Sequence, residues 1–223
     1  MTSVTLSSSS NLDHMKRIGT GLAFIVFPLV FIFAFSVHPG LLNPHRLSDV
    51  EVILRMHHNA LLTLGHVLVL FNAALLIVVT LALMRMLDRT SAAWAGFIGA
   101  AATVLGAVFL GAEKGAECLT LSALDTLPEK QFDQMIPGLV PIFSHQGWMI
   151  LVMGVMLLAV GLTIQAIGLL ATGTIPRWQS SMLLFIWLLG WPDGEEIFAL
   201  VGSILLAVAL VPLGIRIIRS RTA

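Results

Sequence analysis

Long runs of apolar residues, separated by short polar segments, dominate the chain. Five runs reach about 20 residues, the length that an α-helix needs to cross the hydrocarbon core of a membrane. They are 18–37, 60–84, 92–112, 148–171 and 197–218. A sixth run, 178–191, is shorter and has tryptophan, a residue type enriched at membrane interfaces, at both ends. The pattern predicts an all-α integral membrane protein.

The short run 178–191 decides the predicted topology. As a helix its fourteen residues would extend about 21 Å, which fits either a thin crossing or a re-entrant segment. If it crosses and the N-terminus is cytoplasmic, eight of the twelve Lys and Arg residues lie on the cytoplasmic side. Cytoplasmic segments carry an excess of basic residues, so this favours a six-transmembrane-helix bundle in the cell membrane with both termini cytoplasmic. If the run is re-entrant, the basic residues of the last span change sides and the bias disappears.

The segments outside the spans are short. Residues 1–15 are rich in Ser and Thr and are expected to form a disordered N-terminal tail. Residues 16–223 are expected to form a single polytopic membrane domain, because the longest gap between spans is too short to build a core of its own.

Two capping signals predict helices on the outer side. Ser48 and Glu51 have the spacing of a capping box, which predicts a helix that continues without a break into the second span. Thr126 and Glu129 repeat this spacing and predict a short outer surface helix that ends at Pro137.

Composition agrees with lipid as the main solvent. Hydrophobic residues make up 57% of the chain and charged residues only 11%, against about 25% charged residues in soluble domains. Twelve basic residues balance twelve acidic ones, so no net charge favours binding to nucleic acid. The single cysteine, Cys118, excludes an internal disulfide framework and a metal site made of cysteines alone.

Ionisable residues concentrate at the predicted outer side, which receives ten of the twelve acidic residues and six of the seven histidines. Five of them lie within or against the apolar runs, where an ionisable group is costly and normally faces the bundle interior, a cavity or a partner. These candidate site residues are His66, Glu113, Glu117, His145 and Glu195.

Helical spacing predicts which polar residues share a face. In and before the second span, five polar residues recur at steps of four or three: Glu51, Arg55, Asn59, Thr63 and His66. Asn59 and Thr63 are therefore candidate ligand-binding residues beside His66. In the third span, a face of mostly small residues leads into Glu113 and Glu117, which predicts that both carboxylates point toward a packed neighbour.

Two imidazoles and three carboxylates at one depth suit a divalent metal such as Zn²⁺, Mn²⁺ or Fe²⁺, with His66, Glu113 and His145 as candidate ligands. A bound metal would activate water for hydrolysis of a lipid-like substrate, with Glu117 or Glu195 as the catalytic base. The structural alternative is an ion-pair network in which Lys114 neutralises its neighbour Glu113. A b-type haem between the two histidines is disfavoured, because a porphyrin must be buried and His145 lies at the interface.

Three functional classes are consistent with these sequence features. The first is a protein whose outer polar cavity binds a metal ion or small polar ligand. The second is a proton-coupled transporter, although few polar residues lead onward to the cytoplasm. The third is an accessory subunit that binds a membrane partner or a second copy through the faces of Gly154 and Gly161 or of Ala199 and Gly202. An accessory subunit would turn these faces to lipid, whereas a self-contained site-bearing protein would turn them inward.

Overall fold

The structure, a computed structural model, describes residues 6–38, 40–41, 47–144, 146–190 and 196–220. All regular elements in these ranges are helical. In chain order they are α1 (Leu6–Ser36), α2 (Asp49–Met56), α3 (Ala60–Leu87), α4 (Ala93–Leu124), α5 (Glu129–Ser144), α6 (Gln146–Thr172), α7 (Arg177–Leu183), the 3₁₀ segment η1 (Leu184–Gly190) and α8 (Glu196–Arg219).

Five of the described helices are long and apolar enough to cross a membrane. The five segments are Asn11–Ser36, Ala60–Leu87, Ala93–Leu124, Met153–Thr172 and Glu196–Arg219. Large apolar side chains such as Phe71, Phe97 and Val108 point outward and stay more than half exposed. Such a surface belongs in lipid, so the chain is a helical, multi-pass membrane protein, as the apolar runs predict.

The long helices pack antiparallel and define two ends of the bundle. Gly21, near the start of α1, lies against Gly214 near the end of α8, and His38, just after α1, lies against Glu196 at the start of α8. We call the end that carries His38, Glu196, the start of α3 and the end of α4 the acidic end. The other end, which carries the α3–α4 and α6–α7 connections, is the opposite end.

The described residues of the short run, up to Gly190, form α7 and η1 instead of one α-helix. They lead from α6, which finishes at the opposite end, back toward α8, which begins at the acidic end. The Gln179 side chain donates a 2.9 Å hydrogen bond to the carbonyl of Ala209 in α8, and Ile186 is fully buried. A 3₁₀ helix rises about 2.0 Å per residue against about 1.5 Å in an α-helix, so η1 spans more of the bundle than an α-helix of equal length.

Glycines bring the backbones of α4 and α6 into direct contact. A Cβ on Gly99 would lie 2.6 Å from the carbonyl oxygen of Gly161, and a Cβ on Gly106 would lie 2.8 Å from the Cα of Leu158. Gly154 is also buried, against the ring of Phe109. Small residues let helix backbones approach closely, so these glycines serve the packing of α4 on α6.

A buried glutamine ties together the three helices at the centre of the bundle. Gln165 of α6 is fully buried. Its Nε2 donates to the carbonyls of Thr80 (3.0 Å) and Gly96 (3.2 Å), and its Oε1 accepts from the Thr80 hydroxyl at 2.8 Å. Because these bonds join α3, α4 and α6, they fix the register of the helices in a core that is otherwise apolar.

The prediction of an unbroken helix from Ser48 into the second span is wrong. Ser48 and Glu51 do form the predicted capping box at the start of α2, but α2 ends at Met56 and α3 begins at Ala60. His58 has a φ of 56°, a left-handed conformation that an α-helix does not contain. Asn59 then caps α3 by accepting the N–H of Leu62.

The outer surface helix ends later than predicted. The outer surface helix begins near Glu129 as predicted, but α5 continues past Pro137 to Ser144. Residues beyond the proline explain this, because Leu139 is buried in a small cluster with Ile53 and Phe132. At the N-terminus, α1 begins at Leu6, within the segment for which the sequence predicts a disordered tail.

Candidate functional site

Ionisable side chains from α3 and α4 meet near the acidic end of the bundle. His66 lies in the second turn of α3, and Glu113, Lys114 and Glu117 lie in the second half of α4. Because Glu113 and Glu117 are four residues apart, their side chains project toward the same side of α4. The packing of α3 on α4 therefore brings one imidazole and two carboxylates together, as the spacing predicts.

Lys114 joins the two carboxylates in a buried ion-pair network. Its Nζ donates to Glu117 Oε2 at 2.8 Å and lies 3.3 Å from Glu113 Oε1. The other oxygen of Glu117 lies 3.2 Å from Nδ1 of His66. The side chains of Glu117 and His66 are only 10% and 6% exposed, so little water screens these charges. The ion pair between Lys114 and Glu113, which the sequence indicates as the structural alternative to a metal site, is therefore present.

A second imidazole–carboxylate pair lies beside the first. Nδ1 of His38 is 3.0 Å from Oε1 of Glu196, and the rings of His38 and His66 have their centroids 6.2 Å apart. Both Nδ1 atoms are buried and each faces a carboxylate oxygen, although neither contact has the alignment of a full hydrogen bond. Because buried polar groups need such partners, the two carboxylates orient the imidazoles at this end.

Four of these side chains form the polar end of a cavity of about 280 Å³ within the bundle, whereas Glu117 and Glu196 lie behind them, outside the lining. Its polar lining residues are His38, His66, Glu113 and Lys114. The rest of its wall is apolar and comes from α1, α3, α4, α6 and η1: Phe31, Ala34, Phe35, Val69, Leu110, Val155, Met156, Leu158, Ala159, Ile186 and Trp187. The cavity therefore offers hydrocarbon walls and one charged, hydrogen-bonding end.

Burial sets the protonation of His38, the member of this group that lies outside the spanning helices. Removal from water disfavours the imidazolium and lowers the pKa of His38 below its usual 6.5. The positive charge of Lys114 acts in the same direction, whereas Glu196 and Glu117 oppose the shift. His38 is therefore neutral at pH 7. One of its ring nitrogens then donates a hydrogen bond and the other accepts one.

The other predicted site residues divide into two groups. Asn59 and Thr63 make local backbone contacts: Asn59 accepts from Leu62 N–H, and the Thr63 hydroxyl donates to the Asn59 carbonyl. Neither is among the described residues that line the cavity. The predicted base Glu195 and the predicted metal ligand His145 lie outside the described residues. Of the three predicted metal ligands, the structure therefore describes only His66 and Glu113.

His38 and Glu196 are the site residues that sequence reasoning missed. His38 follows directly after the first apolar run, and no helical spacing links it to the other candidates. Glu196 lies directly beside Glu195, the carboxylate that the sequence pattern indicates as the candidate. The close approach of Gly40 to the Glu196 carboxylate, which no spacing rule predicts, accompanies the contact with His38.

Comparisons with protein-family models, curated proteins and solved structures find no match to this chain. The arrangement has the features of a small ligand site, since it combines a partly open, mostly apolar cavity with a few converging polar groups.

Proposed function

We propose that the chain is a six-pass protein of the cell membrane that binds a small polar-headed ligand in this cavity, from the outer side, within a single membrane domain. The return of the chain through α7 and η1 supports a sixth crossing. The distribution of charge supports cytoplasmic termini, because the opposite end carries Arg85, Arg177 and Arg216 whereas the acidic end carries most of the carboxylates.

The observation that carries the proposal is the cavity with apolar walls and an imidazole–carboxylate end. Near this end, Glu113, Glu117 and Glu196 contribute three negative charges, and Lys114 contributes one positive charge. With His38 neutral, the group has an excess of negative charge. An ammonium or another strong hydrogen-bond donor is the headgroup that this excess favours, and the walls favour an aromatic or aliphatic body.

A metal ion that bridges Glu113 and Glu117 is disfavoured at this site. The ammonium group of Lys114 already lies between the carboxylates of Glu113 and Glu117, where an ion bridging them would meet its positive charge. Hydrolysis of a lipid-like substrate is an extension of the proposal in which Glu117 acts as the base. It requires that the ligand displace the contact of Glu117 with either His66 or Lys114.

Helix packing favours a self-contained protein over an accessory subunit. The faces of Gly154 and Gly161 and of Ala199 and Gly202 are buried within the bundle, the arrangement expected of a protein that carries its own site. The deeper polar groups support binding over transport. The amide Nδ2 of Asn72 donates to a backbone carbonyl, as Gln165 does, so these groups serve packing instead of a continuous polar path.

The proposal is tested by calorimetric titration of the detergent-purified protein with two matched probes, 2-phenylethylamine and the neutral 2-phenylethanol. We expect the amine to bind at least about tenfold more tightly than the alcohol, because a hydrogen bond to a charged group contributes about 1.5–3 kcal/mol. Glu117→Gln should remove this preference, and Glu129→Gln, at an exposed carboxylate on α5, should keep it. Equal binding of both probes, or a preference that survives Glu117→Gln, would contradict the proposal.

A further inference from the structure

A second cluster of potential ligands lies on the surface of the acidic end, apart from the cavity lining. It contains His57 and His58, between α2 and α3, and Asp125, which follows α4. We infer that His57, His58 and Asp125 bind one divalent transition-metal ion, with Zn²⁺ as the ion best suited to two imidazoles and one carboxylate. This site goes beyond the proposed cavity function and shares no residue with it.

The distances between the three side chains fit a single ion. One potential ligand atom from each residue lies within 4.8 Å of the others. Asp125 Oδ1 is 2.9 Å from Nδ1 of His57 and 3.9 Å from Nδ1 of His58. Ligands of a tetrahedral zinc ion, each about 2.0–2.1 Å from the metal, are about 3.4 Å apart. The two distances from Asp125 bracket this value, and the third pair of ligand atoms also lies within 4.8 Å, so the three side chains are close enough to share one ion.

The backbone of His58 has an unusual conformation. His58 is the one non-glycine residue with positive φ in the described part of the chain. Such a conformation is uncommon outside glycine and occurs often at functional sites. The carboxylate of Asp125 stabilises it by accepting the N–H of His58 at 3.0 Å. The break between α2 and α3 thereby directs two adjacent imidazoles toward one carboxylate.

The surroundings of the cluster suit an ion that arrives from water. The ring of His57 is stacked on Phe132, with centroids 3.6 Å apart and an angle of 7° between the planes. This contact restricts the orientation of His57, whose side chain is 10% exposed, while that of His58 is 64% exposed. Three protein ligands leave a fourth position of a tetrahedral ion open to solvent, as in zinc sites that bind water or substrate.

A purely structural role for the cluster is the competing explanation. In that case Asp125 serves only to accept hydrogen bonds from His57 and from the backbone of His58. Asp125→Asn separates the two explanations, because an amide oxygen still accepts hydrogen bonds but lacks the charge that favours a metal. His58→Asn removes an exposed ligand and retains a residue type that tolerates positive φ.

The test is a calorimetric titration of chelator-treated protein, without a polyhistidine tag, with Zn²⁺ at pH 7.5. We expect about one equivalent to bind, and each of the two Asn variants to bind at least about tenfold more weakly, the lower limit reported even for residues that only orient a metal ligand. His14→Asn, which removes another exposed histidine, should bind like the wild type. Zn²⁺ should also raise the melting temperature of the wild type and not that of folded His58→Asn.

Two results would overturn the inference. One is the absence of saturable Zn²⁺ binding in the wild type, or an affinity that is unchanged in both His58→Asn and Asp125→Asn. The other is binding that survives these substitutions and is lost in His66→Ala, which would locate the ion in the cavity. Because binding of 2-phenylethylamine is measured separately, failure of this inference is distinguishable from failure of the proposed cavity function.

Discussion

A single methyl group added at Gly161 tests whether α4 and α6 depend on backbone contact. In Gly161→Ala the new Cβ would contact the Thr103 hydroxyl and the Gly99 carbonyl, and it would lie 2.5 Å from the backbone nitrogen of Thr103. Ordinary van der Waals contact begins at 3.4 Å. The two backbones would therefore have to separate by about 0.9 Å, since backbone atoms cannot move aside as the end of a flexible side chain can.

Three contributions determine the expected size of the effect. Overpacking of a close helix contact costs about 1–3 kcal/mol. Separation of the helices also lengthens the 3.2 Å bond from Gln165 to the Gly96 carbonyl, and such a bond contributes about 0.6 kcal/mol in a membrane protein. The higher helix propensity of alanine offsets up to about 1 kcal/mol. We expect the free energy of unfolding to fall by about 0.6–3.6 kcal/mol.

The assay is reversible unfolding by dodecyl sulfate in mixed micelles, followed by tryptophan fluorescence. Gly19→Ala is the matched control, because Gly19 lies in α1 and a Cβ there has no neighbour within 4 Å. The control should be as stable as the wild type or more stable by up to about 1 kcal/mol. If Gly161→Ala unfolds at the same dodecyl sulfate fraction as Gly19→Ala, the reasoning about the α4–α6 contact is refuted.

Further predictions concern polar groups in and around the bundle. Gln165→Leu should lower the free energy of unfolding by about 1–2 kcal/mol in the same assay, because it removes the bonds to Thr80 and to the backbone; unchanged stability would show that these bonds contribute nothing. Ser48→Ala should speed hydrogen exchange across residues 49–56 about fivefold, as expected from losing about 1 kcal/mol of capping, and unchanged exchange would count against the capping box. Burial lowers the pKa of His38 below 6.5, so the unfolded state takes up its proton first as pH falls. Stability should therefore decrease from pH 7.5 to 5.5, by up to about 1.4 kcal/mol per pH unit below 6.5, and less steeply in His38→Gln; an equal slope in both proteins would contradict this.

The sequence pattern predicts the membrane helices well because membrane burial depends on length and apolar content. The long spans and the capping box at Ser48 follow from these local rules. The break at His58 does not, because the residue that stabilises it, Asp125, is distant in sequence and approaches only when α4 packs against α3. The extension of α5 past Pro137 also depends on distant contacts, here with Ile53.

The candidate site could be predicted in part for the same reason. Glu113 and Glu117 lie one helical turn apart, so their shared direction follows from the sequence, and their approach to His66 follows from the depth of both helices. The contact between His38 and Glu196 joins the first and last long helices. Nothing in the spacing of either residue indicates it, because the order of helices around a bundle is set by tertiary packing.

Occupancy of the cavity by a ligand is the central claim, and blocking the cavity tests it most directly. Ala159 lines the apolar wall, so Ala159→Phe places a ring in the volume that the ligand body would fill. Titration with 2-phenylethylamine should show saturable binding to the wild type and loss of at least about tenfold in affinity in folded Ala159→Phe. Absence of binding to the wild type, or equal binding to both proteins, would contradict the account.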